Sequence, residues 1–196
     1  MNSPAAGGTS SPSQLLKTTA VIGAGRAGRA FAFLCAHRGH RVILEDVMPA
    51  NLRHAQQELA QLGPAAISGT LELAGTIEAA VREADLIVDF VPDELESKLE
   101  IFCLIDRMAP PKTLLLTPSE NLSITDLASC TYRSDHCFAV RGAFGEIQHG
   151  GAVRLLYPAA TNEASLNSVA GFLRELGASV QVELDQDAPM LVKNQR

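Results

Sequence analysis

An apolar run, Thr18-Thr19-Ala20-Val21-Ile22, leads directly into Gly23-Ala24-Gly25-Arg26-Ala27-Gly28, and a helical pattern opens at Arg26. The spacing G-x-G-x-x-G carries meaning in this context, between a buried strand and a helix start. Gly23 permits the tight turn, Gly25 lets backbone approach a pyrophosphate, and Gly28 allows close helix–sheet packing. The free N–H groups of the first helical turn, Ala27 among them, and the positive end of the helix dipole then face the phosphates. Arg26 either adds a charged contact there or is solvated. About 20 residues on, the second strand ends in Glu45-Asp46. A carboxylate at that place accepts hydrogen bonds from the adenosine ribose and repels a 2′-phosphate, which favours NAD over NADP. The phase of the strand puts Asp46 at its end, with Glu45 as the alternative.

The rest of the chain fits the same plan. Strands are expected at Arg41–Glu45, Leu71–Leu73, Leu86–Val91, Thr113–Thr117, His136–Val140, Ala152–Tyr157 and Ser179–Leu184. Helices are expected over Arg26–Arg38, Asn51–Leu62, Thr76–Ala84, Glu94–Met108, Ser123–Ser129 and Thr161–Leu176. The first helix carries apolar residues at Ala27, Ala30, Phe31, Leu34 and Cys35, and Gly39 closes it. Strand and helix alternate almost throughout. The pattern predicts an α/β fold of Rossmann type: a doubly wound, mostly parallel sheet with helices on both faces. At 196 residues the chain reads as a small-residue, disordered tail over 1–16 and one domain over 17–196.

A net charge of −6 argues against a nucleic-acid or anionic-membrane partner bound by phosphate neutralisation. No apolar run reaches the length of a membrane span, and the first residues lack a basic and an apolar region of a secretory signal. Cys35, Cys103, Cys130 and Cys137 form no C-x-x-C pair, so zinc-ribbon and thioredoxin chemistry have no support. Four reduced thiols fit a cytoplasmic protein.

Three further stretches resemble the NAD-binding domain of the L-3-hydroxyacyl-CoA dehydrogenase family. Asp89-Phe90-Val91-Pro92-Asp93-Glu94-Leu95-Glu96-Ser97-Lys98 is similar to the family's E-A-V-P-E-x-x-x-x-K. Thr117-Pro118-Ser119-Glu120-Asn121-Leu122-Ser123-Ile124-Thr125-Asp126-Leu127-Ala128 is similar to S-N-T-S-S-L-x-I-T-x-L-A. Asp187-Ala188-Pro189-Met190-Leu191-Val192 is similar to D-T-P-G-F-I. The resemblance implies NAD as cofactor, with Val91, Pro92, Asp93, Lys98 and Ser119 around it. In the family, the acid and lysine at the spacing of Asp93 and Lys98 lie beside the nicotinamide half.

The departures fall on the chemistry. Family members carry a histidine base in G-M-H-F-F-N-P, whereas this chain reads Ala139-Val140-Arg141-Gly142-Ala143-Phe144-Gly145. Arg141 takes the histidine's place, and an arginine stays protonated, so it cannot be that base. The glutamate that orients the family's histidine has no acidic counterpart in Val153-Arg154-Leu155-Leu156. The chain also ends where the family's helical domain begins. His149 is then a candidate base in a glycine-flanked loop, or a surface histidine. Glu120 and Glu146 are the other candidates, as carboxylates that a nicotinamide ring can shield from water.

Two functions follow. One is an NAD-dependent oxidoreductase for a small hydroxy or carbonyl compound, with Arg141 clasping an anionic group. The other is a non-catalytic NAD(H)-binding or sensing module, or a domain completed by a partner chain. The apolar Ala188–Val192 segment suggests a homodimer.

Overall fold

The computed structural model describes residues 16–63 and 67–186. The terminal calls therefore fall largely outside it: most of the expected tail, the Asp187–Val192 motif and the expected dimer segment. Leu16, assigned to the tail from sequence, is buried, and its carbonyl contacts His40 Nδ1 at 3.1 Å.

The strands are β1 (Thr18–Ile22), β2 (Arg41–Glu45), β3 (Thr70–Ala74), β4 (Leu86–Asp89), β5 (Leu114–Pro118), β6 (Cys137–Gly142), β7 (Ala152–Tyr157) and β8 (Ser179–Leu184). The α-helices are α1 (Arg26–His37), α2 (Pro49–Leu62), α3 (Ile77–Val81), α4 (Leu95–Met108), α5 (Ile124–Ser129) and α6 (Glu163–Glu175). The sheet order is β3-β2-β1-β4-β5-β6-β7-β8. The strands from β1 to β6 are parallel; β6 meets β7 antiparallel, and β8 runs parallel to β7. The two sequence halves thus diverge at β1 and β4, the point where an open α/β sheet presents its ligand crevice.

Period-2 burial divides each strand between two cores. One core joins Val21, Val42, Leu44, Val88 and Phe138 to α1, α2 and α6 through Phe31, Ala55 and Phe172. The other joins Ala20, Ile22, Ile43, Ile87 and Leu115 to α3, α4 and α5 through Val81, Phe102 and Leu127. Helices therefore cover both faces. Several helix ends are fixed by side chains: Thr76 accepts from Ala79 N, Ser123 from Asp126 N, and Asn162 from Ser165 N.

Within α1 the face against the sheet is Gly28, Phe31, Ala32, Cys35 and Ala36, whereas Ala27 and Ala30 are exposed. Alanine is too small to mark a face by itself, so the packed side shows only through the i, i+3, i+4 spacing from Gly28. β4 is also shorter than its apolar run: it ends at Asp89, Phe90 N–H still donates to Ile22 O at 2.7 Å, and Phe90 and Val91 line the crevice.

Candidate functional site

The glycine turn sits at the carboxyl edge between β1 and α1. Gly23 has φ +97°, a left-handed conformation that favours glycine, and its N–H donates to Glu45 O at 2.8 Å. A Cβ on Gly28 would lie 1.9 Å from Gly23 O, while one on Gly25 would meet nothing within 4 Å. The two glycines therefore serve different ends: Gly28 closes helix against turn, and Gly25 leaves open space at the helix N-terminus. Arg26 and Ala27 are exposed beside that space.

Asp46, one residue past the end of β2, ties the turn to the next helix. Its Oδ2 accepts from Ala24 N at 2.7 Å and Asn51 Nδ2 at 2.9 Å, and its Oδ1 accepts from Met48 N at 2.7 Å. Arg29 adds a second tie: Nη1 donates to Ala24 O at 2.8 Å, and Nε meets both oxygens of Glu58 on α2 at 3.2 Å. Sequence reasoning missed Asn51 and Arg29. The signal for Asn51 was its place in the first turn of the helix that follows the acid.

A cleft of about 480 Å³ opens beside the turn. Ile22, Ile77, Val91, Ile101 and Leu104 give it apolar walls, and Glu45, Asp46, Asn51, Ser97 and Glu100 give it polar ones. Among the described residues no lysine or arginine lines it. Pro92 completes the rim. Burial, and secondarily the charge of Asp46, push the Glu45 carboxyl up to about 7. The folded chain thus keeps a proton that the unfolded chain releases near 4.5. Stability from this group is greatest below that lower value and fades as pH rises through about 7.

Asp93 and Lys98 do not pair. Lys98 is fully buried and its Nζ donates to Asp89 Oδ1 at 2.7 Å. Burial raises the Asp89 carboxyl despite the opposing attraction of Lys98. Asp93 is exposed and accepts from Glu120 N at 3.0 Å. In this conformation Lys98 secures the end of β4 from beneath, and Asp93 alone of the two faces the carboxyl edge.

The loop after β5 is laced to β6. Glu120 Oε1 accepts from Gly142 N at 2.9 Å, Arg141 Nη2 donates to Leu122 O at 2.8 Å, and Ser119 N donates to Val140 O at 3.2 Å. Ser119 is buried, with its Oγ accepting from Leu122 N. Arg141 Nε is buried without a hydrogen-bond partner. Arg154 lies directly opposite Arg141 across the antiparallel pair. Two cations therefore share one sheet face where the resemblance expects a histidine and a glutamate.

His149 ends a 3₁₀ turn, Phe144–His149, and is exposed. That turn packs against α1, with Phe144 stacked on Phe31 at 5.1 Å between ring centroids. Its far end lies beside Gly177, on the β8 side. The fold brings Asp93, Ser119, Glu120 and Arg141 together and leaves His149 and exposed Glu146 on that turn. Among the described residues no group of three or more His, Cys, Asp or Glu side chains is arranged to hold a metal.

A family model described as the 3-hydroxyacyl-CoA dehydrogenase NAD-binding domain matches residues 18–186. The chain belongs to this family. The mitochondrial hydroxyacyl-coenzyme A dehydrogenase of Sus scrofa is 28% identical over 181 residues, covering 83% of this chain and 57% of its own length. A probable 3-hydroxybutyryl-CoA dehydrogenase of Bacillus subtilis is 26% identical, over 91% of this chain and 66% of the relative. This chain thus spans under two thirds of these relatives. Among solved structures, a diketoreductase superposes with TM-score 0.78 at 23% identity, over 89% of this chain and 66% of that one, a likeness of fold. A 3-hydroxyacyl-CoA dehydrogenase from Archaeoglobus fulgidus gives TM-score 0.73 at 26% identity, over 87% and 57%.

NAD is the cofactor of this family's domain, and the residues present fit it. Gly25 stands in open space at a helix N-terminus, Asp46 lies one residue past the end of β2 beside it, and the cleft beyond is acidic and apolar. Among the described residues no helix is long and apolar enough to cross a membrane.

Proposed function

We propose that the protein is an NAD-dependent oxidoreductase acting on a small hydroxy or carbonyl compound that carries an anionic group. The observation that carries this reading is Arg141: a guanidinium at the carboxyl edge, with a buried Nε lacking a partner, in the family's histidine position. NAD supplies a hydride acceptor when bound. The chain's own groups do the rest. Backbone N–H groups after Gly25 face the phosphates, and Asp46 orients the ribose. Arg141 holds the anionic group as a fork, with Arg154 adding to the local positive potential. Glu120, within the same hydrogen-bonded edge, is the residue placed to take the hydroxyl proton; His149 lies toward β8.

A second reading has one observation in its favour. The Glu120 carboxylate is already engaged by Gly142 N–H, which suits a binding or sensing module without turnover. We also place the protein in the cytoplasm as a homodimer. Four free thiols support the first assignment. Exposed Val182 and Leu184 on the edge strand β8 support the second.

The test is NADH formation, followed by absorbance, with short-chain hydroxy acids and with L-3-hydroxybutyryl-CoA. Free hydroxy acids are expected to turn over, with Arg141→Met raising KM at least about tenfold, a loss of about 1.4 kcal/mol. The CoA ester is expected to show little or no oxidation. Robust turnover of that ester contradicts the role given to Arg141. Tight NADH binding without any turnover favours the sensing module.

A further inference from the structure

Glu45 is not used by the chemistry above. It is only 4% exposed and is the last residue of β2, paired with Ile22 on one side and Ala74 on the other. By strand alternation it shares the face of Ile43, against α3 and α4. It also lines the cleft. No hydrogen bond to its carboxyl group occurs among the described residues. Its carboxyl oxygens are not among the water-shielded, unpartnered atoms of the described residues, so they stay open to the cleft, where a ligand group can pair with them.

Connectivity says which ligand part that is. With the pyrophosphate at the N-terminus of α1 and the ribose at Asp46, the base joined to that ribose lies beyond Asp46. The space there is walled by Ile22, Ile77, Ile101 and Leu104, apolar surfaces suited to a flat heterocycle. Adenine presents a donor and an acceptor side by side, its exocyclic amine and an adjacent ring nitrogen.

We propose that Glu45 reads the adenine base, pairing its carboxyl group with the exocyclic amine and the neighbouring ring nitrogen. This rests on the assignment of NAD to the cleft. The pairing needs a carboxylic acid, because the ring nitrogen accepts and an ionised carboxylate offers no donor. The surroundings keep that acid neutral up to about pH 7. Asp46 lies beside it and Glu100 faces the cleft from α4, so both neighbours are acidic and oppose ionisation. From the same face of β4 and α4 come Asp89 and Lys98, which are paired with each other. β3 and α3 present Ala74 and Ile77. Affinity for the cofactor therefore holds below about pH 7 and falls above it.

The experiment is calorimetric titration of NADH, and of its purine analogue, in which hydrogen replaces the amine, at pH 6 and pH 8.5. The wild type is expected to bind NADH at least about tenfold more tightly at pH 6. The purine analogue, which has no donor on that edge, loses most of that advantage. Glu45→Gln keeps a donor and an acceptor, so it binds NADH at both pH values about as the wild type does at pH 6. Glu45→Val binds weakly, without pH dependence and without preference between the two dinucleotides. A wild type that binds NADH equally at both pH values, or equally to its analogue, overturns the adenine contact while leaving NAD in the cleft. Failure of every form to bind NADH overturns the cofactor assignment itself.

Discussion

Replacing Lys98 with methionine is expected to cost the folded protein about 3–5 kcal/mol, the usual effect of leaving one member of a buried ion pair without its partner. Both side chains are wholly shielded from water, and the Nζ–Oδ1 distance is 2.7 Å. Methionine fills much of the lysine's volume but leaves Asp89 facing Ile22 and the core of α4 with no counter-charge. Burial already disfavours the Asp89 carboxylate, and Lys98 is what opposes that effect. The double variant Asp89→Leu/Lys98→Met removes both charges and is expected to recover most of the loss. Urea denaturation followed by circular dichroism reads both. A single variant within about 1 kcal/mol of the wild type contradicts the buried pair, as does a double variant no better than the single.

The glycine turn supports a second large effect, with opposite outcomes at two positions of one motif. Gly28→Ala drives a methyl group to 1.9 Å from Gly23 O, and backbone on both sides must move. Overpacking of this kind costs about 3 kcal/mol or more when neither neighbour can give, and a thermal melt should show a clearly lowered transition. Gly25→Ala meets nothing within 4 Å, so the melt should be nearly unchanged. Its methyl group occupies the space a pyrophosphate needs, so NADH affinity should drop by about tenfold or more, on the order of 1.4 kcal/mol. Gly25→Ala binding NADH like the wild type would remove the phosphates from this turn.

The turn, the acid after β2 and the two-faced sheet were legible in the sequence because each is local chemistry. A glycine spacing, a strand end and an alternation of periods need no knowledge of distant contacts. The expected fold was mostly parallel and did not place the reversal at β7, although the length of the connection marks it. Residues 143–151 between β6 and β7 are too few for a parallel crossover, which takes a dozen or more residues. The partner of Lys98 was not legible from spacing. Asp93 lies at the expected distance along the chain, but the first turn of α4 carries the lysine inward to Asp89, and only the packed structure makes that choice. The same holds for the edge. Glu120, in the loop after β5, and Arg141, in β6, are joined through Gly142 and Leu122, a juxtaposition set by the β5–β6 register. The upward shift of the Glu45 carboxyl comes from its burial in the folded chain, with Asp46 adding to it, so sequence could mark it only as an alternative to Asp46.

The central claim is an NAD site selective against the 2′-phosphate, and paired fluorescence titrations with NADH and NADPH test it most directly. Asp46, Glu45 and Glu100 line the cleft, and among the described residues no cation does. The account predicts that NADH binds at least about tenfold more tightly, about 1.4 kcal/mol, and that Asp46→Ala narrows the gap. NADPH binding as tightly as NADH, or more tightly, contradicts it.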